Sequence, residues 1–192
     1  MKTLYLVRHG ETLFNIEHKI QGWCDSPLTK KGVDQAQNLG KFFAKIPLDH
    51  AYSSTSERCA DTIELILQNR LPYQRVKALK EQNYGVFEGE SERLSPKAPK
   101  DFETFFLPYG GESSNTVGKR MLECLTKIMS KPGNQQVLAV SHSGACFNFL
   151  RMLQDPTEEL EKGFSNGTIF VYHFDQSTFK LAKVIRDFNP ET

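Results

Sequence analysis

The sequence lacks any apolar stretch long enough to cross a membrane, which would need roughly eighteen such residues in succession. Its first apolar run ends at Arg8 and is too short for a secretory signal peptide. It also lacks blocks of like charge, and 24 basic residues are balanced by 23 acidic ones. That pattern favours neither nucleic acid nor an anionic membrane surface. We therefore predict a cytoplasmic protein with no nucleic-acid and no membrane partner.

Cysteine is scarce and scattered. No C-x-x-C pair occurs among the four cysteines, which are Cys24, Cys59, Cys124 and Cys146. This spacing excludes the usual zinc clusters and gives no disulfide framework, so reduced thiols are expected. The five histidines form no H-E-x-x-H or similar short ligand spacing. We predict no metal site and no cofactor.

The length and composition are those of one compact domain. With 192 residues, 39% of them apolar, the chain can bury a substantial core. No internal repeat divides it. We predict a single domain over residues 1–192.

Apolar runs alternate with helical periodicity along the chain, which is typical of an α/β fold. Strands are predicted at 3–7, 48–52, 75–79, 136–140, 168–174 and 179–185. Helices are predicted from a Thr29 cap to residue 43, from the polar segment 53–56 to residue 67, at 113–130 and at 145–153. The last two strands suit a hairpin at a sheet edge. We predict a three-layer α/β/α sandwich with a mostly parallel sheet and its ligand crevice outside the strands' carboxyl ends.

The segment 90–109 fits neither the helical nor the strand period and mixes three prolines with four aromatic residues. It is predicted to be a short inserted lid. Its aromatic side chains either line a substrate pocket or pack the insert onto the body.

Chemically competent side chains follow several of the predicted strands. His9 and His142 each come directly after an apolar strand, Arg58 falls in the first turn of a helix, and Glu81 follows the third strand. Parallel strands share one carboxyl edge, so these groups are expected to converge in one crevice. Such a cluster is costly without an anionic ligand.

The ordered motifs around these residues resemble the histidine phosphatase superfamily, also called the phosphoglycerate mutase-like family, over essentially the whole chain. The matching segments are Leu6-Val7-Arg8-His9-Gly10-Glu11-Thr12 with Asn15, Gln21 to Thr29 with Gly32, Ser53-Ser54 with Arg58, Leu79-Lys80-Glu81 with Tyr84-Gly85 and Phe87-Glu88-Gly89, Gly111-Glu112-Ser113, and Val140-Ser141-His142-Ser143-Gly144.

The resemblance implies a role for each of five residues. His9 is the residue that becomes phosphorylated, Glu81 is the proton donor, and Arg8, Arg58 and His142 form the phosphate pocket. The chemistry is consistent with these types, because phosphoryl transfer needs preorganised cationic donors around the equatorial oxygens. Two guanidinium groups and an imidazolium are expected to supply them.

Five further residues are predicted to bind the substrate: Asn15, Gln21, Gly22, Ser143 and Gly144. The two amides can contact phosphate oxygens, although both types also serve as turn residues that satisfy local backbone groups. Ser143 and Gly144 open a helix, where backbone N–H groups commonly face an anion.

The predicted activity is hydrolysis of a small phosphorylated metabolite, with that substrate or inorganic phosphate as the partner. The resemblance implies that the mutases of the family carry a longer, more basic insert with paired arginines, whereas 90–109 has no adjacent basic pair. A cofactor-dependent phosphoglycerate mutase is the alternative, and a non-catalytic phosphate-binding regulatory module is the third. A serine hydrolase is excluded because no G-x-S-x-G elbow surrounds Ser141 or Ser143. The substrate and the oligomeric state stay open.

Overall fold

A computed structural model describes residues 1–186. In that part of the chain one sheet of six strands has the order β3-β2-β4-β1-β5-β6. The strands are β1 (Lys2–Arg8), β2 (His50–Ser54), β3 (Tyr73–Val76), β4 (Gln136–Ser141), β5 (Ile169–Asp175) and β6 (Thr178–Ile185). The first four run parallel, and the β5–β6 hairpin joins β1 antiparallel. The predicted mostly parallel α/β sheet with an edge hairpin is confirmed.

Six α-helices complete the described part. They are α1 (Leu13–Ile16), α2 (Lys30–Phe43), α3 (Glu57–Leu67), α4 (Ser114–Ser130), α5 (Ser143–Arg151) and α6 (Thr157–Glu161). The Thr29 and Ser113 hydroxyls accept backbone N–H groups at the starts of α2 and α4, which satisfies donors that a helix start leaves free. None of these helices combines the length and apolarity needed to cross a bilayer.

The sheet is buried on both faces, as expected for parallel strands. Leu4, Leu6 and Ala139 face α4 and α5, whereas Val7 and Val140 face α2 and α3. The alternation places β1 and β4 side by side at the centre of the three layers. Their carboxyl ends therefore open at the same edge, where His9 and His142 follow.

Two details differ from the sequence-based expectations. The predicted strand 75–79 is an earlier, shorter strand, β3, followed by a 3-10 turn at Lys77–Leu79, so that Leu79 is fully buried below the loop that carries Glu81. The short helices α1 and α6 were not predicted, because four or five residues are too few to establish a helical period. The domain prediction extends to residues 187–192, which lie outside the described residues.

The insert is a chain of 3-10 turns that covers one side of the crevice. These turns are Glu92–Leu94, Pro99–Glu103 and Leu107–Tyr109. Phe106 is fully buried, with ring contacts to Tyr84 and Phe87, whereas Phe102 lines the crevice. Both proposed roles of the insert aromatics therefore occur, each in a different residue.

Candidate active site

A cavity of about 420 Å³ opens where β1 and β4 end. It is lined by Arg8, His9, Asn15, Lys19, Ile20, Gln21, Glu81, Tyr84, Glu92, Ser95, Phe102, Ser143 and Gly144. Six of the ten sequence-predicted site residues besides His9 are among them. The other three, Gly22, Arg58 and His142, lie behind this wall.

The backbone of His9 is tied to both neighbouring strands. Its N–H donates to the Ser141 carbonyl, 3.0 Å away, and its own carbonyl accepts the Asn166 side-chain amide at 3.1 Å. The His9 side chain is only 4% exposed. The imidazole is therefore held in one place by groups from three segments of the chain.

The hydrogen bonds of the His9 ring define its tautomer. Nδ1 lies 2.8 Å from the Gly10 carbonyl, which can only accept, so Nδ1 carries the proton. Nε2 accepts the Nε–H of Arg58 at 3.2 Å. Burial and the positive charges of Arg58 and Arg8 lower the pKa of His9 well below its usual range. The ring is neutral, with its lone pair on Nε2.

Arg58 is fully buried behind His9 at the start of α3. Its Nη1 donates to Asp25 at 2.8 Å, and its Nη2 donates to the Gly22 carbonyl at 2.8 Å. The guanidinium is thus fixed from behind, and Nε is the donor that reaches His9 Nε2. This arrangement positions a permanent cation beside the presumptive nucleophile.

His142 shares the same guanidinium. Its Nδ1 accepts Nη2 of Arg58 at 2.8 Å, so its proton lies on Nε2, which donates to Ser54 Oγ at 2.9 Å. Burial and the charge of Arg58 lower the pKa of His142 well below its usual range. The expected imidazolium is therefore wrong for this arrangement, because a second cation beside Arg58 is too costly in a buried site.

Arg8 is the guanidinium that lines the cavity itself. One Nη donates to the Phe164 carbonyl, whereas the buried Nε has no hydrogen-bond partner among the described residues. A buried N–H without a partner costs free energy unless a ligand supplies the acceptor. Arg8 therefore fits an anion in the cavity.

Glu81 faces the cavity from the side opposite to Arg58. Its oxygens accept backbone N–H groups from Gln82 at 2.8 Å and Gly144 at 2.7 Å. Burial raises the pKa of its carboxyl, and these hydrogen bonds and nearby arginines only partly offset the effect. A carboxyl with a raised pKa is suited to giving and taking a proton near neutral pH.

Gly144 has a geometric reason to be glycine. A Cβ there would lie 2.7 Å from Glu81 Oε1, too close for any side chain. Its N–H, predicted to face an anion, instead holds Glu81. Ser143 lines the cavity beside it.

The two predicted amides take part in a local network. Asn15 Oδ1 accepts the Thr12 backbone N–H and the Asn166 amide, both at 3.1 Å. Gln21 accepts the Thr12 hydroxyl at 2.7 Å and donates to Ser26 at 2.9 Å. Both still line the cavity. Gly22 does not, since its carbonyl holds Arg58.

Three positioning residues were missed at the sequence level. Asn166 binds His9 and Asn15, as described above. Glu88, which the sequence placed in an acidic entry to the insert, instead accepts backbone N–H groups of Gly22, Trp23, Cys24 and Tyr84. Arg120 donates to the carbonyls of Ala78, Lys80 and Glu81 and is paired with Glu112. Only Glu88 lay in a motif that could have signalled it.

A larger groove of about 730 Å³ lies between α2 and α3. It carries the carboxyl groups of Asp61 and Glu64 and no lysine or arginine among the residues that line it. Its charge disfavours phosphate. In the part of the chain that the structure describes, no group of three or more His, Cys, Asp or Glu side chains is arranged to hold a metal ion.

Similar proteins of known sequence include both phosphatases and mutases. The chain is 30% identical to the adenosylcobalamin/alpha-ribazole phosphatase of Escherichia coli, over 82% of this chain and 82% of that protein. It is 33% identical to a probable phosphoglycerate mutase, GpmB, of Erwinia tasmaniensis, over 76% and 71%.

The fold and the family agree. The structure superposes on Bacillus stearothermophilus YhfR with a TM-score of 0.86 and 32% identity, over 99% of each chain. Residues 4–186 match the family model of the histidine phosphatase superfamily, branch 1. With its paired histidines, arginines and buried carboxyl in one cavity, the chain belongs to the histidine phosphatase superfamily.

Proposed function

We propose that the protein is a phosphohydrolase that takes the phosphoryl group of a small phosphorylated metabolite onto His9, with Glu81 as proton donor. The observation that carries the proposal is the pair of hydrogen bonds on the His9 ring. Nδ1 is held as a donor to Gly10 while Nε2 keeps its lone pair. A neutral imidazole with one nitrogen fixed as donor is the form that attacks phosphorus.

In the first step Nε2 of His9 forms a bond to phosphorus and the bond from phosphorus to the ester oxygen breaks. Glu81 gives its proton to the leaving oxygen. In the second step a water oxygen bonds to phosphorus, the bond to Nε2 breaks, and Glu81 takes the water's proton. The raised pKa of Glu81 supports both transfers.

Positive charge for the transition state comes from Arg8 and Arg58. The unpartnered Nε–H of Arg8 suits a phosphoryl oxygen. The Nε–H of Arg58 donates to Nε2 before the reaction, so it lies beside the phosphoryl group once Nε2 is bonded to phosphorus. Preorganised donors of this kind supply much of the catalysis of phosphoryl transfer.

Hydrolysis is favoured over phosphoryl transfer between sugars or glycerates by the charge of the cavity mouth. Besides Arg8, the cation among the lining residues is Lys19, which lies 2.8 Å from Glu17 and over the Phe14 ring. Glu92 also lines the mouth and opposes an anion. A second phosphate or carboxylate on the substrate would find little positive charge there.

The proposal is tested by measuring free phosphate from p-nitrophenyl phosphate and a panel of phosphorylated metabolites, beside a mutase assay on 3-phosphoglycerate with and without 2,3-bisphosphoglycerate. Phosphate release that persists in EDTA and is lost in His9→Ala is expected. Faster isomerisation than hydrolysis would identify a mutase, and activity that survives His9→Ala would overturn the mechanism.

A further inference from the structure

A second cavity, of about 210 Å³, adjoins the active-site cavity and has a different chemistry. The two share the wall formed by Tyr84, Phe102, Ser143 and Gly144. Because the Gly144 N–H holds Glu81, the carboxyl of Glu81 lies close to this shared wall. We name the second space the side cavity.

The walls of the side cavity beyond the shared residues are mainly apolar. Phe147 of α5, Leu160 of α6 and Phe164 contribute to them, and Phe102 closes the side towards the insert. The lining residues include no lysine, arginine, aspartate or glutamate. Burial keeps the Tyr84 phenol neutral by raising its pKa well above its usual value.

The wall on the α6 side is held in place by ionic contacts. Arg186 Nη2 lies 2.5 Å from Glu159 of α6, and its Nε donates to the Gly163 carbonyl at 2.8 Å. The Phe164 carbonyl in turn accepts a hydrogen bond from Arg8. The side cavity is therefore coupled in position to the phosphate-binding arginine.

The relative placement of the two spaces identifies the occupant. Under the proposed function, on which this inference depends, the ester oxygen of the substrate lies at Glu81 and the organic group extends beyond it. We infer that this group enters the side cavity and is an uncharged, mainly apolar alcohol or phenol. A cavity of about 150 Å³ accommodates benzene, so 210 Å³ suits one ring or a short alkyl chain.

A charged leaving group is disfavoured for the same reason. A carboxylate or second phosphate in the side cavity would lose its hydration without gaining a cationic partner. The inference thus separates the protein's substrate class from that of phosphoglycerate-type metabolites.

The test is an alkyl phosphate series of ethyl, butyl and hexyl phosphate with the wild-type protein. The leaving alcohols have similar acidity, so the chemistry is constant while apolar area grows. We expect kcat/KM to rise by up to about fourfold per methylene, equivalent to ~0.8 kcal/mol for each CH₂ buried, and to exceed that for 3-phosphoglycerate. A series that is flat while phosphate is still released overturns the inference alone. No phosphate from any ester overturns the proposed function as well.

Variants then locate the effect. Leu160→Glu, at a 39% exposed side chain, should reduce the hexyl-to-ethyl ratio of kcat/KM towards one. Leu107→Glu makes the same change at a 49% exposed leucine that does not line the side cavity and should keep the wild-type ratio. Phe147→Ser provides an independent wall change. Equal ratios in wild type and both wall variants would contradict the inference.

Discussion

The Nε–H of Arg58 points at Nε2 of His9 across 3.2 Å, so the buried guanidinium and the imidazole lone pair meet at the atom proposed to attack phosphorus. The other end of the same guanidinium is fixed by Asp25 and Gly22. Because Arg58 is held from behind, its charge beside Nε2 is preorganised and need not be recruited during the reaction.

Replacing Arg58 by Ala should lower kcat/KM by more than tenfold, or about 1.4 kcal/mol, since a donor beside the transferred group is lost. Arg58→Lys should recover little, because a lysine cannot reproduce the planar fork. Steady-state kinetics with thermal melts of each variant provide the measurement. Asp25→Asn is the matched control: it alters the contact to Nη1 but leaves Nε in place, so it should have a smaller effect. An Arg58→Ala effect under tenfold would place Arg58 outside the chemistry.

Glu81→Gln should slow alkyl phosphates, whose leaving oxygen needs a proton, more than p-nitrophenyl phosphate, whose leaving group does not. The ratio of kcat/KM between the two substrate types in wild type and variant measures this directly. Gln82→Ala, which changes the neighbouring side chain but keeps the N–H that binds Glu81, should leave the ratio near the wild-type value. Equal slowing of both substrate types by Glu81→Gln would assign Glu81 another role.

Asn166→Ala should reduce kcat with little change in KM, by about tenfold, because the His9 carbonyl and Asn15 both lose a hydrogen bond that positions them. Asn166→Asp, which keeps the shape but removes the amide donor, should behave like the alanine variant. Wild-type kcat in both would show that the other bonds to His9 suffice.

The stability of the fold should decrease as the pH falls from about 6.5. His9 and His142 have lowered pKa values in the folded state, so below this pH the unfolded chain binds protons that the folded chain does not. Each imidazole contributes a slope of up to about 1.4 kcal/mol per pH unit. Denaturant melts between pH 7.5 and 5 measure the slope.

In His9→Asn the slope should decrease by one imidazole's share. The same substitution at His18, whose side chain is 81% exposed, should leave it unchanged. A free energy of unfolding that is independent of pH in the wild type would contradict the assigned neutral state of the two buried rings.

Much of the site could be predicted because its residues follow apolar strands. His9 and His142 each come directly after a strand whose apolar run is visible in the sequence, and β1 and β4 are in fact neighbours in parallel register. The carboxyl edge of a parallel sheet then brings their side chains together, with ring centroids 5.4 Å apart.

Asn166 could not be predicted in the same way. It precedes β5, and its contact with His9 depends on β5 pairing with β1 in antiparallel register. The periodicity of a strand indicates which face is buried but not which strand lies beside it. The inward turn of Glu88 was hidden for a related reason, since a glutamate in an acidic run reads as a solvated side chain.

The neutral state of His142 was also beyond the sequence. Its residue type suited a cation beside phosphate, but the charge depends on burial and on the 2.8 Å contact with Arg58. Both arise only when three separate segments are packed together.

The central claim is that His9 accepts the phosphoryl group, and trapping the intermediate tests it most directly. The protein is mixed with a phosphate ester, quenched in alkali within one turnover, digested and analysed by mass spectrometry. We predict one added phosphoryl group on the peptide that contains His9, labile in acid, formed at least as fast as steady-state turnover and absent from His9→Ala. Turnover without phosphorylated His9, or the phosphoryl group on another residue, would contradict the account.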